Sequence, residues 1–251
     1  MKYQFTIKEI SKDTALEMVQ SYHYSNTLPR LNKHFVGFFL DERLVGMVTL
    51  GWGTRPLHTI KKLFPSLDTE DYFEIGRMCM TEDMPNGSES QMMSALCKWI
   101  KQEFPEIKVL FTWADGMLGK PGYVYQASGF IYSGFIWTDT YFQNGVKIHP
   151  RKVMKLFEEN GIKPKNTRPT VEQMLSKNIK HYKGKQFKYF RFLCSKAEKK
   201  RLLKECKADL SCPYPKDSDL KWRLLDFSIG EWVESDIPPY QTDLVDTSAG
   251  F

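Results

Sequence analysis

Between Tyr3 and Ile148 the apolar positions follow two different periods, and the switches between them mark out the elements. YQFTIKEI alternates residue by residue and predicts a strand, after which Ser11 and Asp13 open a helix carrying Ala15, Leu16, Met18 and Val19. HFVGFFL and RLVGMVTLGW are apolar runs of strand length joined by a tight Asp41-Glu42 turn, the pattern of a hairpin. A looser segment spans Gly53 to Asp71. The strand FEIGRMCM, a turn in MPNGSES, the helix SQMMSALCKWIKQEF and the strand KVLFTWA follow, then a glycine-rich loop with a short helix. IYSGFIW with DTYFQNGVKI reads as a closing hairpin. The order β-α-β-β-β-α-β-α-β-β predicts an α/β fold with a mixed central sheet flanked by helices.

After Val146 the texture changes. Lys152 to Leu175 reads as helical with a break at GIKPKNTRP, KGKQFKYFRFL alternates as a strand, and SKAEKKRLLKECK predicts a short basic helix capped by Ser195, with Glu198 three residues on. The remaining residues, rich in Pro, Asp and Ser, predict a segment that wraps the body or frays. Three consecutive regions result: residues 1–150 as the folded body, 151–207 as a basic extension and 208–251 as an acidic, Pro-rich tail.

Charge sharpens that division. Lys and Arg against Asp and Glu number 14 to 16 from Met1 to Val146, 19 to 5 from Lys147 to Lys207, and 3 to 9 from Ala208 to Phe251. A mildly acidic body with one intensely basic segment is the electrostatic pattern of a protein that meets a polyanion. No apolar run approaches a membrane span, and MKYQFTIKEI lacks the features of a signal peptide, so the expected compartment is the cytosol, with no membrane partner. Five cysteines without a CxxC pair indicate reduced thiols rather than a disulfide framework or a zinc site.

Several groups carry candidate chemistry. The turn TEDMPNGSES enters a helix, and backbone N–H groups at such an entry suit a phosphate, cradled here by Asn86, Gly87, Ser88 and Ser90; a plain turn with a Ser cap has the same sequence. Glu74 and Arg77, three apart, face opposite sides of an ideal strand, but a bulge at Gly76 would bring them to one face. Without it they read as a surface ion pair. In ADGMLGKPGYVYQASGFIYSG, Asp115 lies just past a strand's C-terminal end, where α/β sheets bind ligands, and Gly116, Gly119 and Gly122 permit sharp turning and close approach. Asp115 suits a base and Tyr125 a proton donor, or Asp115 caps a turn and Tyr125 packs. His23, in YHYSNTLP, is a candidate base or metal ligand, or a structural histidine. In the basic segment Lys183, Lys185, Lys188, Tyr189 and Arg191 interleave cations with aromatics, a composition suited to tracking phosphates and stacking on bases, or to a half-buried strand with a solvated basic face.

Taken together, the element order and YQASGFIYSG resemble the GNAT acyltransferase fold. YHYS, FEIGR, Ser90 and FTWADGMLGKPGYVYQASGFIYSG more closely resemble the bacteriophage Mom family, over about Tyr22 to Arg151, with a further PYPK at Pro213–Lys216. The resemblance implies a GNAT-like fold with a basic C-terminal extension. It also implies an enzyme that converts adenine in phage DNA to N6-carbamoylmethyladenine and so blocks host restriction, acting in the cytoplasm of the infected host. Carried over, it implicates His23, Arg77, Ser90, Asp115 and Tyr125. It implies acyl-CoA (acetyl-CoA) or a related donor, and double-stranded DNA as partner; an adenine inside a duplex must be flipped out before its N6 can be reached. Two rival readings stand beside it: an N-acyltransferase using acetyl-CoA on a protein or small amine, and a catalytically silent DNA-binding protein.

Overall fold

The computed structural model describes residues 2–53, 56–144, 146–148, 153 and 170–239. In chain order the elements are β1 (Thr6–Glu9), α1 (Lys12–Tyr22), β2 (Asn32–Leu40), β3 (Arg43–Gly51), α2 (Ile60–Leu63), β4 (Tyr72–Met80), α3 (Ser88–Glu103), β5 (Val109–Asp115), α4 (Tyr123–Ala127), β6 (Ile131–Gln143), β7 (Val146–Ile148), α5 (Val171–Ser176), β8 (Ile179–Phe192), α6 (Lys196–Glu205), β9 (Trp222–Asp226) and β10 (Glu231–Ser235). A mixed sheet with helices on its faces is therefore what the periodicity predicts and what forms.

The chain divides into two compact units assembled from interleaved stretches, where the sequence reading placed three consecutive regions. The first comprises residues 1–113, 122–134 and 188–214. Its strands run β1-β2-β3-β4-β5, followed by the C-terminal end of β8 and the start of β6. β1 to β4 pair antiparallel, and β4 pairs parallel with β5. Ser11 caps α1 by accepting the Thr14 N–H, and Ala15, Met18 and Val19 pack on Met47 and Cys79 of one sheet face. The opposite face receives α3, which buries Met92, Met93, Leu96, Cys97 and Ile100; a Cβ on Gly46, the neighbour of Met47, would stand 2.7 Å from the Met92 sulfur.

The α1 face also takes two elements of different standing in the sequence. α2 lies within the stretch read as loose, and with α6 it closes a cluster of Ile60, Leu63, Phe64, Tyr72, Val109, Phe111, Phe190 and Leu202. α6 is the predicted basic helix, and Ser195 caps it by accepting the Glu198 N–H.

The second unit comprises residues 114–121, 135–187 and 215–251. Here β8 lies between β6 and β9, with β7 beyond β6 and β10 beyond β9. IYSGFIW and DTYFQ are one continuous strand, β6, and the hairpin follows it into β7. The acidic segment, expected to wrap or fray, instead contributes the hairpin β9–β10, whose Leu224 pairs with Tyr182 of β8. Its short alternation, WRLLD then EWVES, is a strand signal, and the Asp226 carboxylate accepting the Ser228 N–H and hydroxyl makes the turn between. Met117, Phe142, Tyr182 and Trp222 form one core here, with the Trp222 indole N–H donating to the Met117 carbonyl. Lys152, residues 154–169 of the expected helix, and residues 240–251 lie outside the described residues.

Both residues of the β2–β3 turn hold positive φ, 46° at Asp41 and 68° at Glu42, the requirement of a type I′ hairpin. Asn-Gly meets it with less strain than Asp-Glu. The double substitution Asp41→Asn with Glu42→Gly is expected to raise stability by about 1 kcal/mol, read as a higher urea midpoint with unchanged m.

Candidate functional site

The first unit gathers its polar chemistry around a defect in β4. Thr49 pairs with Arg77, Leu50 with Ile75 and Gly51 with Glu74, which leaves Gly76 as the extra residue of a β-bulge. The Thr49 hydroxyl oxygen accepts the Arg77 backbone N–H at 2.9 Å. Positions 49 and 51 share a face of β3, so their partners Arg77 and Glu74 share a face of β4, which an unbroken strand would forbid. Only glycine fits at the bulge: a Cβ on Gly76 would lie 2.8 Å from the Pro29 ring and 2.9 Å from the Thr49 hydroxyl.

Arg77 uses this position to hold the loop that follows α1. Its Nε donates to the Thr27 carbonyl at 2.9 Å, one Nη to the Gly76 carbonyl at 2.8 Å and the other to the Ser25 hydroxyl at 2.9 Å. Ser25 in turn brings both its backbone N–H, at 2.9 Å, and its carbonyl oxygen, at 3.1 Å, to His23 Nδ1. The His23 ring also lies against Tyr24, with centroids 4.1 Å apart. His23 and Arg77 are thus joined through Ser25, the last residue of the YHYS segment, to which the sequence reading assigned no role of its own. Among the described residues no group of three or more His, Cys, Asp or Glu side chains could hold a metal ion.

Glu74, which the sequence reading took only as a partner of Arg77, is a buried carboxyl. Its carboxyl is packed against Gly53, where a Cβ would meet Oε2 at 2.1 Å. Burial pushes its pKa up from 4.5 to about 7, so the group exchanges its proton in the physiological range. The same carboxylate helps push the neighbouring Tyr72 hydroxyl, already buried, to about 12. The bulge expectation contained the signal, since it was the condition under which Glu74 joins Arg77.

β4 and β5 pair from Tyr72 and Val109 to Ile75 and Thr112, and the pairing ends where the bulge begins. Thr112 is almost fully buried there, and its Oγ1 has no well-formed hydrogen bond. The Tyr125 hydroxyl lies beside it. Burial raises the Tyr125 pKa, partly offset by that threonine. Tyr125 is also in ring contact with Phe130 and Tyr189, at 5.5 and 5.7 Å. It follows a turn in which Gly119 and Gly122 hold φ of 71° and 98°.

The turn before α3 is built as a helix entry, with Gly87 in the left-handed region and nothing within 4 Å of the place its Cβ would occupy. Its hydroxyls are committed locally, Ser88 donating to the Pro85 carbonyl and Ser90 to the Gly87 carbonyl. Asn86 is exposed. Of the residues predicted to contact DNA, three fall in this unit. Tyr189 is fully buried and its hydroxyl accepts from Gln126, Arg191 donates to the Ser128 carbonyl, and Lys188 is half-buried. The buried Tyr189 ring has no free face to offer a base.

In the second unit, the Asp115 carboxylate accepts the Met117 N–H at 3.1 Å and caps the short turn Gly116–Leu118. Burial raises its pKa, while Lys147 and that backbone N–H pull it back. A Cβ on Gly116 would meet the Lys185 carbonyl at 2.6 Å, so this glycine serves close packing within the protein. Lys183 lies over Trp232 at 3.9 Å, Lys185 over Phe135 at 4.7 Å and Arg223 over Trp137 at 4.4 Å, an alternation of cations and rings on one face.

The model of the Mom protein family matches residues 4–216. The methylcarbamoylase mom of Escherichia phage Mu is 29% identical over 213 residues, covering 85% of this chain and 84% of that protein. Among solved structures, the chain is similar to a GNAT family acetyltransferase from Elizabethkingia anophelis with acetyl-CoA bound, at TM-score 0.41 and 14% identity over 76% of this chain and 99% of that one. It is also similar to an N-acetyltransferase from Staphylococcus aureus Mu50, at 0.40 and 17% over 76% and 99%.

The raised pKa of Glu74 has a signed consequence for stability. Between about pH 4.5 and 7 the unfolded chain gives up this proton while the folded chain keeps it, so this group makes stability fall as pH rises across that window and leaves it level above. Glu74→Gln removes the effect. Urea unfolding at pH 5 and pH 7.5 is expected to show the variant gaining about 2–3 kcal/mol relative to the parent at the higher pH only.

Proposed function

The chain belongs to the Mom protein family, and from that premise we propose that it is a DNA-modifying transferase that converts adenine to N6-carbamoylmethyladenine. The observation that carries the reading is the family match across residues 4–216, which includes the bulged strand, the loop tied to Arg77 and the turn leading to Tyr125. The name methylcarbamoylase borne by the phage Mu relative supports transfer of a small amide-bearing carbon group, and the carbamoylmethyl form is part of the proposal.

In this reading N6 attacks the CH2 of a donor X–CH2–CONH2: the N6–CH2 bond forms as the CH2–X bond breaks, the N6 proton passes to a base, and X departs with the bonding pair and takes a proton from an acid. Glu74 has the pKa of a base poised at neutral pH, and it shares a strand face with a cation. Tyr125, kept protonated by burial, is the acid for the departing group. A donor built on a CoA-type carrier fits two features of the first unit: the parting of β4 and β5 beside Thr112 and Tyr125, and the open turn at Gly87. Ser88 and Ser90 serve that turn through their backbone, because their hydroxyls are already used. Arg77 and His23 order the loop between α1 and β2, and Asp115 is retained as a second acid–base candidate. The partner is double-stranded DNA with the target base extruded, the setting is the host cytoplasm, and the product resists host restriction enzymes.

The test is nucleoside mass spectrometry on plasmid DNA from cells expressing the chain. Deoxyadenosine heavier by a carbamoylmethyl group is expected from the parent, reduced at least a hundredfold in Glu74→Gln and in Asp115→Ala. The modification rate should rise with pH through a midpoint near 7. Unmodified DNA from well-expressed, folded protein, together with acetyl transfer to an amine in the absence of DNA, would instead establish an N-acyltransferase.

A further inference from the structure

α6 presents a lysine stripe to solvent. Residues 196–207 hold six Lys and Arg against two Glu. Lys196, Lys199, Lys200 and Lys204 recur at helical spacing on one exposed side, exposed Lys207 follows just past the helix end, and Leu202, fully buried, anchors the other side in the cluster with Phe64 and Tyr72. The two acids are spent within the unit: Glu198 binds Arg201 at 2.8 Å and lies 3.8 Å from Lys108, and Glu205 accepts from Ser66. Among the described residues none of the five lysines has a salt bridge.

The stripe does not end with the helix. The Lys207 N–H donates to the Leu63 carbonyl at 3.1 Å, joining the end of α6 to the end of α2, whose last turn carries Lys61 and Lys62. Lys61 is neutralised by Asp68 at 2.9 Å. Lys62 stands close enough to Lys188 of β8 to help push its pKa below the usual lysine value, burial being the larger cause. Like charges from three separate elements therefore converge on one surface, at an electrostatic cost to the free protein that a polyanion removes.

We propose that this surface, made by the exposed lysines of α6 with Lys62 and Lys188, grips the phosphate backbone of duplex DNA. The proposal rests on the reading that the protein modifies DNA, and it moves the grip from Tyr189 and Arg191, which are turned inward, to the helix that follows them. The stripe from Lys196 to Lys204 is about 12 Å long, the length of three or four phosphates along one strand. Ammonium groups on flexible stems suit point contacts with phosphates and carry no base preference, so the surface sets affinity and leaves sequence choice to other groups.

Salt dependence of duplex binding tests this. The variant Lys196→Gln, Lys199→Gln, Lys200→Gln, Lys204→Gln preserves helix propensity, and its fold is checked by its urea midpoint. A control carries Lys2→Gln, Lys8→Gln and Lys12→Gln, around β1 at the far end of the strand order. The slope of log affinity against log salt for a blunt duplex is expected to become shallower by about 3–4 in the α6 variant and to stay unchanged in the control. A steep slope that survives the α6 substitutions overturns the proposal and leaves the DNA-modifying reading intact. A flat slope in the parent chain overturns that reading and the proposal with it.

Discussion

One extra residue in β4 governs the chemistry of the first unit. A strand displays alternate side chains on alternate faces, so Glu74 and Arg77 could meet only if the count between them changed by one. The bulge at Gly76 makes that change, and the Thr49 hydroxyl holds it in place by accepting the Arg77 N–H. The rest follows in sequence. The guanidinium reaches the loop after α1 and fixes Ser25 and Thr27; the Ser25 backbone holds His23 through Nδ1; and the β4–β5 pairing stops at Thr112, leaving a buried hydroxyl beside Tyr125. Filling the bulge with any larger residue would press on Pro29 and Thr49 together.

Much of this was legible in the residues, and the limits have physical causes. Apart from α2, the helices and strands up to β5 follow hydrophobic period and capping residues, both local signals: Ser11 caps α1 as its sequence predicts, and Ser195 does the same for α6. The bulge was anticipated as a possibility because Glu74-Ile-Gly-Arg77 places glycine between two charged groups. Whether the strand actually bulges depends on a partner strand 25 residues earlier, which no local pattern specifies.

Where the reading went astray, a nonlocal fact decided the outcome. Tyr189 and Arg191 sit in an alternating basic strand and look like surface residues, yet Gln126 and Ser128 of another element absorb their polar groups. The hairpin β9–β10 lies in an acidic, proline-containing stretch whose composition suggests disorder, and its two short alternations become strands because β8 offers an edge to pair with.

A carboxyl whose pKa lies near 7 is half-charged under the conditions in which the protein works. Any molecule that settles beside Glu74 must therefore draw a proton in or drive one out: an anionic group favours the protonated form, and a cationic one the carboxylate. Binding at the bulge is then coupled to the buffer. Its apparent heat will vary with the ionisation enthalpy of the buffer chosen, so calorimetry in two buffers reports occupancy of this position, and the sign of the charge that arrived there, without any turnover.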